Sequence, residues 1–382
     1  MKTFKVITFL VLVFIFSACD DRNKDADYFN GKIVYINKDS VKVRDVTSKT
    51  IGVENYGYGM FSVYDSLIVF WNPRFADQFF CLYNVDTEKE IGYFCNKGRG
   101  HNEFFSIGPI FQFFKMDNDL KTPICDFNEQ KIYFWNISQS VLEKTTVYDT
   151  VISYDGLNLG KNLTASNLFY QSDDTFLAMI KPLYFIEDDT PLPYYQKWRL
   201  PCETINDYHV YKKPEADDIH FDEAQKERVY SFDAIKPDGS KIVQAMNMVP
   251  QINIIDTRTG ETVFYRLANV SRVSLFDPKR DDGCVYYRSI QADDNYIYAT
   301  YWGNTWDVSL GSKCPFVRII HVFNWDGEML YELETDRTFF RIALDPVRNR
   351  LYTADLDTDE MYYIDLNELL FGSYAMNGND AQ

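Results

Sequence analysis

Basic residues are in short supply: 39 Lys and Arg stand against 56 Asp and Glu, a formal charge of −17 over 382 residues. So acidic a surface repels phosphate backbones and anionic head groups, which argues against nucleic acid as a partner and against docking of the body itself on a membrane. Histidine is scarcer still, with only His101, His209, His220 and His321, and no H-E-x-x-H pair occurs. Cysteines are few and irregularly spaced. Besides Cys19 there are Cys81, Cys95, Cys125, Cys202, Cys284 and Cys314, with no C-x-x-C pair among them, so a zinc site or a thioredoxin-type redox motif has no support. An even number permits disulfides in an exported protein, but cysteines inside apolar strand-like runs read first as small buried hydrophobes. No G-x-S-x-G elbow is present, because Asp307-Val308-Ser309-Leu310-Gly311 lacks the first glycine. The longest apolar run, Val6 to Phe16, falls short of the ~20 residues that a spanning helix needs.

That run has other uses. Lys2 and Lys5 precede it and Phe16-Ser17-Ala18-Cys19 follows it, the layout of a secretory signal peptide with small residues before the processing point. The last four residues resemble the lipobox of bacterial lipoproteins, with Phe16 where Leu is usual. The resemblance implies a leader at 1–18, a lipid-modified Cys19 as membrane anchor, and an acidic tether at 19–29 beginning Asp20-Asp21. Acidic residues just after the cysteine resemble the surface-export signal of lipoproteins in some Gram-negative gut bacteria. The expected location is the outer membrane, facing outward, with a periplasmic orientation as the alternative. Lys2 and Lys5 are the only charges in residues 1–18, so the remainder of the chain carries −19.

Aromatic residues are abundant, with 28 Tyr and 30 Phe, and favour sheets. They fall into a repeated unit: a short apolar strand, an Asp/Asn/Gly turn, another apolar strand. Residues 228–267 hold four such strands around the turns Pro237-Asp238-Gly239-Ser240 and Thr257-Arg258-Thr259-Gly260-Glu261. Residues 60–97, 111–146, 165–213 and 285–334 repeat the scheme. Asp-Gly, Asp-Asn and Thr-Gly pairs reach positive φ or cap their own backbone, as tight hairpins require. The reading in 111–146 places turns at 117–119, 128–130 and 138–140. Residues 339–367 supply only three strands, so an N-terminal run, Lys32–Ile36 or Val41–Val46, is expected to complete the sixth unit and remove an open edge. The pattern predicts an all-β, six-bladed β-propeller over residues 30–370 with its ring closed by an N-terminal strand, and a polar tail at 371–382. The one helical exception is a charged stretch at Asp222 to Arg228.

Three phrases carry a family resemblance. Gly98-Arg99-Gly100-His101-Asn102-Glu103-Phe104 is similar to the Gly-rich connector of NHL-type and TolB-like six-bladed propellers. Ile235-Lys236-Pro237-Asp238-Gly239-Ser240 resembles the TolB-type turn. Asp345-Pro346 followed by Arg350-Leu351-Tyr352 resembles the same element in the last unit. The resemblance implies a propeller fold and an envelope location, not a reaction, since propellers serve as enzymes and as binding platforms.

Chemistry is harder to find. Gly98-x-Gly100-x-x-Glu103 lacks the third glycine and the helix of a dinucleotide loop, and reads as a tight connector. Asp355-x-Asp357-x-Asp359 lacks the glycine and the closing carboxylate of a calcium loop, and reads as a hairpin turn. His321 alternates within a strand and reads as a structural histidine. In a propeller, blade-to-blade connections share a face with the loops between second and third strands. Here those loops carry Arg74, Arg99, His101, Glu103, Asn304, Trp306 and Arg337, the candidate ligand-binding residues. Trp306, beside Asn304 and Asp307, is the expected exposed platform; Trp71 and Trp302 read as packing between blades and Trp135 as core. The preferred reading is a non-catalytic platform for a glycan, a peptide or an envelope protein, with no cofactor. The alternative is a calcium-dependent hydrolase of the lactonase or arylesterase kind, its metal held in the central channel by oxygens from separate blades.

Overall fold

The computed structural model describes residues 28–370 except 55–59, 101, 158, 161, 173, 183–191, 200, 202, 213–228, 269, 271–283, 306–316, 340 and 356–357. The described chain opens with three short strands that form no hairpin: β1 (Gly31–Ile36), β2 (Lys42–Val46) and β3 (Ser48–Glu54). Antiparallel units follow. Blade 1 comprises β4 (Met60–Tyr64), β5 (Leu67–Trp71), β6 (Gln78–Asn84) and β7 (Lys89–Asn96). Blade 2 comprises β8 (Phe114–Met116), β9 (Asp119–Asp126), β10 (Lys131–Asn136) and β11 (Tyr148–Ser153). Blade 3 holds β12 (Leu163–Ser172), β13 (Thr175–Pro182), β14 (Tyr194–Arg199) and β15 (Glu203–Tyr208). Blade 4 runs from β16 (Ser231–Ile235) through β17 (Lys241–Met246) and β18 (Gln251–Asp256) to β19 (Thr262–Leu267). Blade 5 runs from β20 (Cys284–Ala292) through β21 (Tyr296–Thr305) and β22 (Val317–Asn324) to β23 (Met329–Phe339). Blade 6 has β24 (Ile342–Asp345), β25 (Arg350–Ala354) and β26 (Glu360–Asp365), and its fourth strand is β3. The molecule is a six-bladed β-propeller.

Side-chain caps set the outer hairpins. Asn84, Asp256 and Asn324 end the third strands of blades 1, 4 and 5. Their side-chain oxygens accept the backbone N–H groups of Asp86 and Thr87, of Arg258 and Thr259, and of Asp326 and Glu328. An Asn or Asp there fixes the turn without needing the rest of the blade. Blade 2 departs from this. Where a turn is expected at 138–140, Asn136 caps a short helix, α1 (Ile137–Glu143), by accepting the N–H of Gln139 at 3.0 Å.

Ring closure also differs from the expectation in its strand. Ser48–Glu54 closes blade 6, antiparallel to β26, with Ile51 opposite Met361 and Thr50 opposite Tyr362. The two runs expected to do so instead add a parallel fifth strand to the two preceding blades. Gly31–Ile36 lies along Thr262–Leu267 of blade 4, and Lys42–Val46 along Tyr331–Thr335 of blade 5. The N-terminal segment is therefore a strap over three consecutive blades. A parallel outer strand can run on to the next blade without reversing, which is why one short segment reaches all three. The stretch 222–228 lies outside the described residues.

The core is six wedges between neighbouring blades. One joins blades 1 and 2 through Phe80, Phe94, Phe104 and Trp135; another joins blades 6 and 1 through Val53, Phe70, Met361 and Tyr352. Arg348 fastens that last junction from outside, with Nε on Asp65 at 3.0 Å and both Nη atoms on the Asp86 carboxylate at 2.7 and 2.8 Å. Cys81, Cys95 and Cys125 are buried and unpaired, and burial pushes the Cys81 and Cys125 thiols up to about 12. Cys284 is half-buried.

His321 ties the strap to blade 5. Its ring is fully buried and stacked 4.2 Å from Tyr301, with Nδ1 3.2 Å from the Tyr287 hydroxyl and Nε2 3.2 Å from Glu332. Lys38, in the turn between β1 and β2, completes the group 2.7 Å from Glu332. Burial depresses His321 to about 4, which outweighs the pull of Glu332. Burial also opposes ionisation of Glu332, but His321 and Lys38 prevail and hold it at about 2. The unfolded chain therefore binds the histidine proton below about 6.5 while the folded chain does not. The associated stability is complete above that pH and disappears as pH falls toward 4, on the order of 3 kcal/mol. Glu332 acts in a lower window, between its unfolded value near 4.5 and about 2. Urea melts of native and His321→Gln protein between pH 7 and pH 4 are expected to show a shallower decline for the variant. Parallel declines refute the assignment.

Candidate functional site

The connector between blades 1 and 2 folds back on itself. Gly98 N donates to Phe104 O at 3.1 Å, and Phe104 N to Asn96 O at 2.8 Å. The Glu103 carboxylate closes the loop by accepting the N–H of Gly100 at 2.7 Å. A Cβ at Gly98 would lie 1.8 Å from Glu103 Oε2 and displace the carboxylate, and the φ of 156° there strains any other residue, so the position favours glycine. Phe104, buried, drives the loop onto blade 2 by meeting the Tyr133 ring edge-on at 4.7 Å. Asp126, fully buried, then holds both sides. One oxygen accepts the N–H groups of Phe105 and Ser106, the other those of Asn128 and Glu129 in the turn before β10.

This leaves a cleft of about 270 Å³ between the connector and the outer strands of blade 2. Arg99, Asn102 and Glu103 form one wall, and Tyr133, Tyr148 and Val151 the other. The Arg99 guanidinium lies 4.7 Å over the ring of Phe105, itself about half exposed. Tyr133 and Tyr148 meet edge-on at 5.4 Å, and the Tyr148 hydroxyl donates to Asn102 Oδ1. Burial raises the Tyr133 hydroxyl above its ordinary value. Glu129 and Lys131 pair at 3.2 Å on the lip. Aromatic rings beside a guanidinium, an amide and carboxylates suit a ligand with both apolar faces and polar edges. Both carboxylates at the cleft have partners, Glu103 the Gly100 N–H and Glu129 the Lys131 ammonium.

Two of the sequence-predicted residues, Arg99 and Glu103, meet here. Arg74 sits on the adjoining loop, where its N–H donates to Asn72 Oδ1 at 2.9 Å, and does not line the cleft. Asn304 and Arg337 belong elsewhere. Asn304 lies within β21 opposite Val285, and Arg337 within β23, bonded to Glu360 of blade 6 at 3.0 Å and set over Tyr362. Both were expected on loops; the strands run further than the turn residues indicated. His101, Trp306 and Cys19 lie outside the described residues. Trp71 donates its indole N–H to Ile107 O at 2.9 Å, and Trp71 and Trp302 pack half-buried against inter-blade clusters. Sequence reasoning missed Tyr133, Tyr148, Val151 and Phe105. Their strands read as core, and only the connector's fold shows that one face of them is open.

A calcium centre needs oxygens that converge from the innermost strands. The described inner strands β4, β8, β12, β16, β20 and β24 carry two carboxylates, Asp233 and Asp345. Asp233 is buried and accepts from Ser231 at 2.8 Å and Asn167 at 2.9 Å; Asp345 is buried and accepts the N–H groups of Asp65 and Val347. Among the described residues no three His, Cys, Asp or Glu side chains gather as metal ligands. These residues do not fit a calcium centre.

Fold and cleft together define a six-bladed β-propeller with a strapped rim and an open connector cleft. The chain matches no protein-family model and no curated protein. Among solved structures it is similar to a member of the DUF4221 family from Bacteroides vulgatus, at 11% identity and a TM-score of 0.53, over 85% of this chain and 97% of that one. It is also similar to regucalcin, a calcium-binding protein from Agrobacterium tumefaciens (9%, TM-score 0.44, 85% and 95% covered). A third is the Cps50 (Swd1) propeller domain of Myceliophthora thermophila (10%, TM-score 0.41, 83% and 99% covered). The first supports the fold alone; the other two are too distant to carry an argument.

Proposed function

We propose that this protein is a non-catalytic binding platform held at the cell envelope by a lipid on Cys19, with the connector cleft as its ligand site. The observation that carries the reading is the Arg99 and Asn102 wall facing Tyr133 and Tyr148 across the cleft, with wall carboxylates already engaged. Such a surface takes a glycan, or a peptide or protein segment. The test is an array of glycans and peptides probed with the native protein and with Arg99→Ala. The guanidinium is exposed and supports no backbone contact described for the loop, so the variant is expected to keep its stability and bind about tenfold more weakly. Unchanged affinity places the ligand elsewhere on the propeller.

The anchor has its own test. No described helix is long and apolar enough to cross a membrane. With the acidic body unattracted to anionic lipid, Cys19→Ala is expected to move the protein from the membrane fraction to the soluble fraction of the expressing cell. Equal sedimentation of the variant with membranes overturns the lipoprotein reading. Protease added to intact cells then separates the outward orientation, where the native protein is cut, from the periplasmic one.

A further inference from the structure

We propose that the outer edge of β11 is a docking edge for an extended segment of a partner protein, which joins blade 2 as a parallel fifth strand. This rests on the cleft being the ligand site and names the class of ligand. The template lies in the molecule itself. On blades 4 and 5 the outermost strands already accept a parallel fifth strand, over Gly31–Ile36 and Lys42–Val46. On blades 1, 2, 3 and 6 the sheets end at β7, β11, β15 and β3. An open strand edge offers unpaired N–H and C=O groups, and proteins blunt it with charge, irregular backbone or a cover.

Three of the four open edges are blunted. Along β3 the N–H groups of Ser48 and Gly52 are taken by the Asp336 and Glu88 carboxylates at 3.0 and 2.7 Å. Along β7, Lys89 and Glu90 precede Gly92, Cys95 has a φ of 61°, and α1 packs against the strand. Along β15, Glu203 and Asp207 are exposed, and the chain just beyond the strand is covered. There Asn30 N donates to Val210 O and Lys212 N to Tyr28 O, both at 2.9 Å. β11 reads Tyr-Asp-Thr-Val-Ile-Ser, with neither glycine nor proline. Its single charge, Asp149, is drawn back into the blade by Lys121 at 2.5 Å and Asn136 at 3.1 Å. The irregular pairing falls at Asp149 and Thr150, so Val151 to Ser153 is regular strand, with Val151 41% exposed.

The cleft lies on the same strand, since Tyr148 and Val151 line it. Alternate side chains of an added strand would enter it beside Arg99, while the main chain paired with β11. The chain's own fifth strands indicate the chemistry. They read G-K-I-V-Y-I and K-V-R-D-V, β-branched residues interspersed with Lys32, Lys42, Arg44 and Asp45, so each strand is net basic, which suits an acidic body.

The experiment uses the full chain and a fluorescent peptide of residues 30–37, N-G-K-I-V-Y-I-N. Peptide binding is expected to be saturable and to slow hydrogen exchange across Tyr148–Ser153. Two further peptides, N-methylated at Ile33 and Tyr35 or at Lys32 and Val34, separate strand addition from contact by side chains alone. A strand pairs through one set of alternate N–H groups, so one methylated peptide should lose at least tenfold in affinity and the other should bind nearly as the parent. Equal affinities for both, protection mapping to β7, β15 or β3, or no binding overturns the proposal. So does β11 protection that rises with protein concentration in the absence of peptide, which makes a second copy the occupant. If Arg99→Ala weakens an array ligand while β11 stays unprotected, the cleft survives and strand addition falls. If Arg99→Ala leaves every ligand unaffected, both fall.

Discussion

Deleting residues 28–54 is expected to abolish the cooperative unfolding transition, whereas deleting residues 28–47 should lower its midpoint and leave the transition intact. The difference follows from what each part of the strap does. β3 is the fourth strand of the last blade, and Val53 on it is 2% exposed within the wedge between blades 6 and 1. Removing it uncovers Met361 and Tyr362, both fully buried, and opens the ring where its two ends meet. Every wedge is shared by two blades, so an opened ring loses support at each side of the gap. β1 and β2 are additions to blades that already have four strands. Their loss still matters. Phe29, just before β1, is fully buried against Phe264 at 4.7 Å, and losing a side chain of that size costs on the order of 3–5 kcal/mol. The Lys38 contact to Glu332 goes with it. Urea unfolding followed by circular dichroism tests the contrast. If the two truncated proteins melt alike, β3 does not close the ring.

The same strap shows how far the sequence could be read. The blades were legible because strand alternation and turn chemistry are local: Asn84, Asp256 and Asn324 bond to N–H groups two to four residues on, whatever surrounds them. That a strand from the N-terminus closes the ring was also legible, because three strands at 342–365 leave one missing. Which strand does so was not. Lys32–Ile36 and Val41–Val46 have stronger strand patterns than Ser48–Glu54, which contains Gly52 and turns only Val53 fully inward. A sequence carries no mark for a parallel fifth strand, and partner choice along an edge is decided by distance around the ring. The cleft was half legible. Arg99 and Glu103 stood out because a Gly-rich connector with charges has no core explanation. Tyr133 and Tyr148 did not, because their pattern is that of buried strand residues, and both do pack against Phe104. Arg348 also escaped notice, since its partners Asp65 and Asp86 lie at the opposite end of the described chain.

Trp135→Ala should destabilise the protein by about 3–5 kcal/mol and also loosen the cleft. The indole is fully buried, 5.0 Å from the ring of Phe80 and 6.1 Å from that of Phe94, so it fills the wedge between blades 1 and 2. Its Nε1 donates to Ser140 Oγ at 2.9 Å. That hydroxyl donates to Asn136 O at 2.7 Å and accepts the N–H of Val147 at 2.8 Å, so one group joins β10, α1 and the start of β11. Truncation leaves both a cavity and a buried hydroxyl that has lost its indole partner, and the two penalties act together. Trp135→Phe separates them, because it keeps most of the volume and loses only the hydrogen bond; it should cost about 1–2 kcal/mol. Tyr148 pairs directly opposite Trp135, so the cleft wall rests on this residue. Hydrogen exchange at Tyr148 to Ser153 is therefore expected to quicken in Trp135→Ala before global unfolding, while Trp71→Ala, on the other side of the wedge, should leave that segment unchanged. Urea midpoints for the three variants and exchange at β11 decide the matter. A Trp135→Ala protein within 1 kcal/mol of native would mean that the wedge collapses around the gap, and that the cleft wall is held by Phe104 and Tyr133 without it.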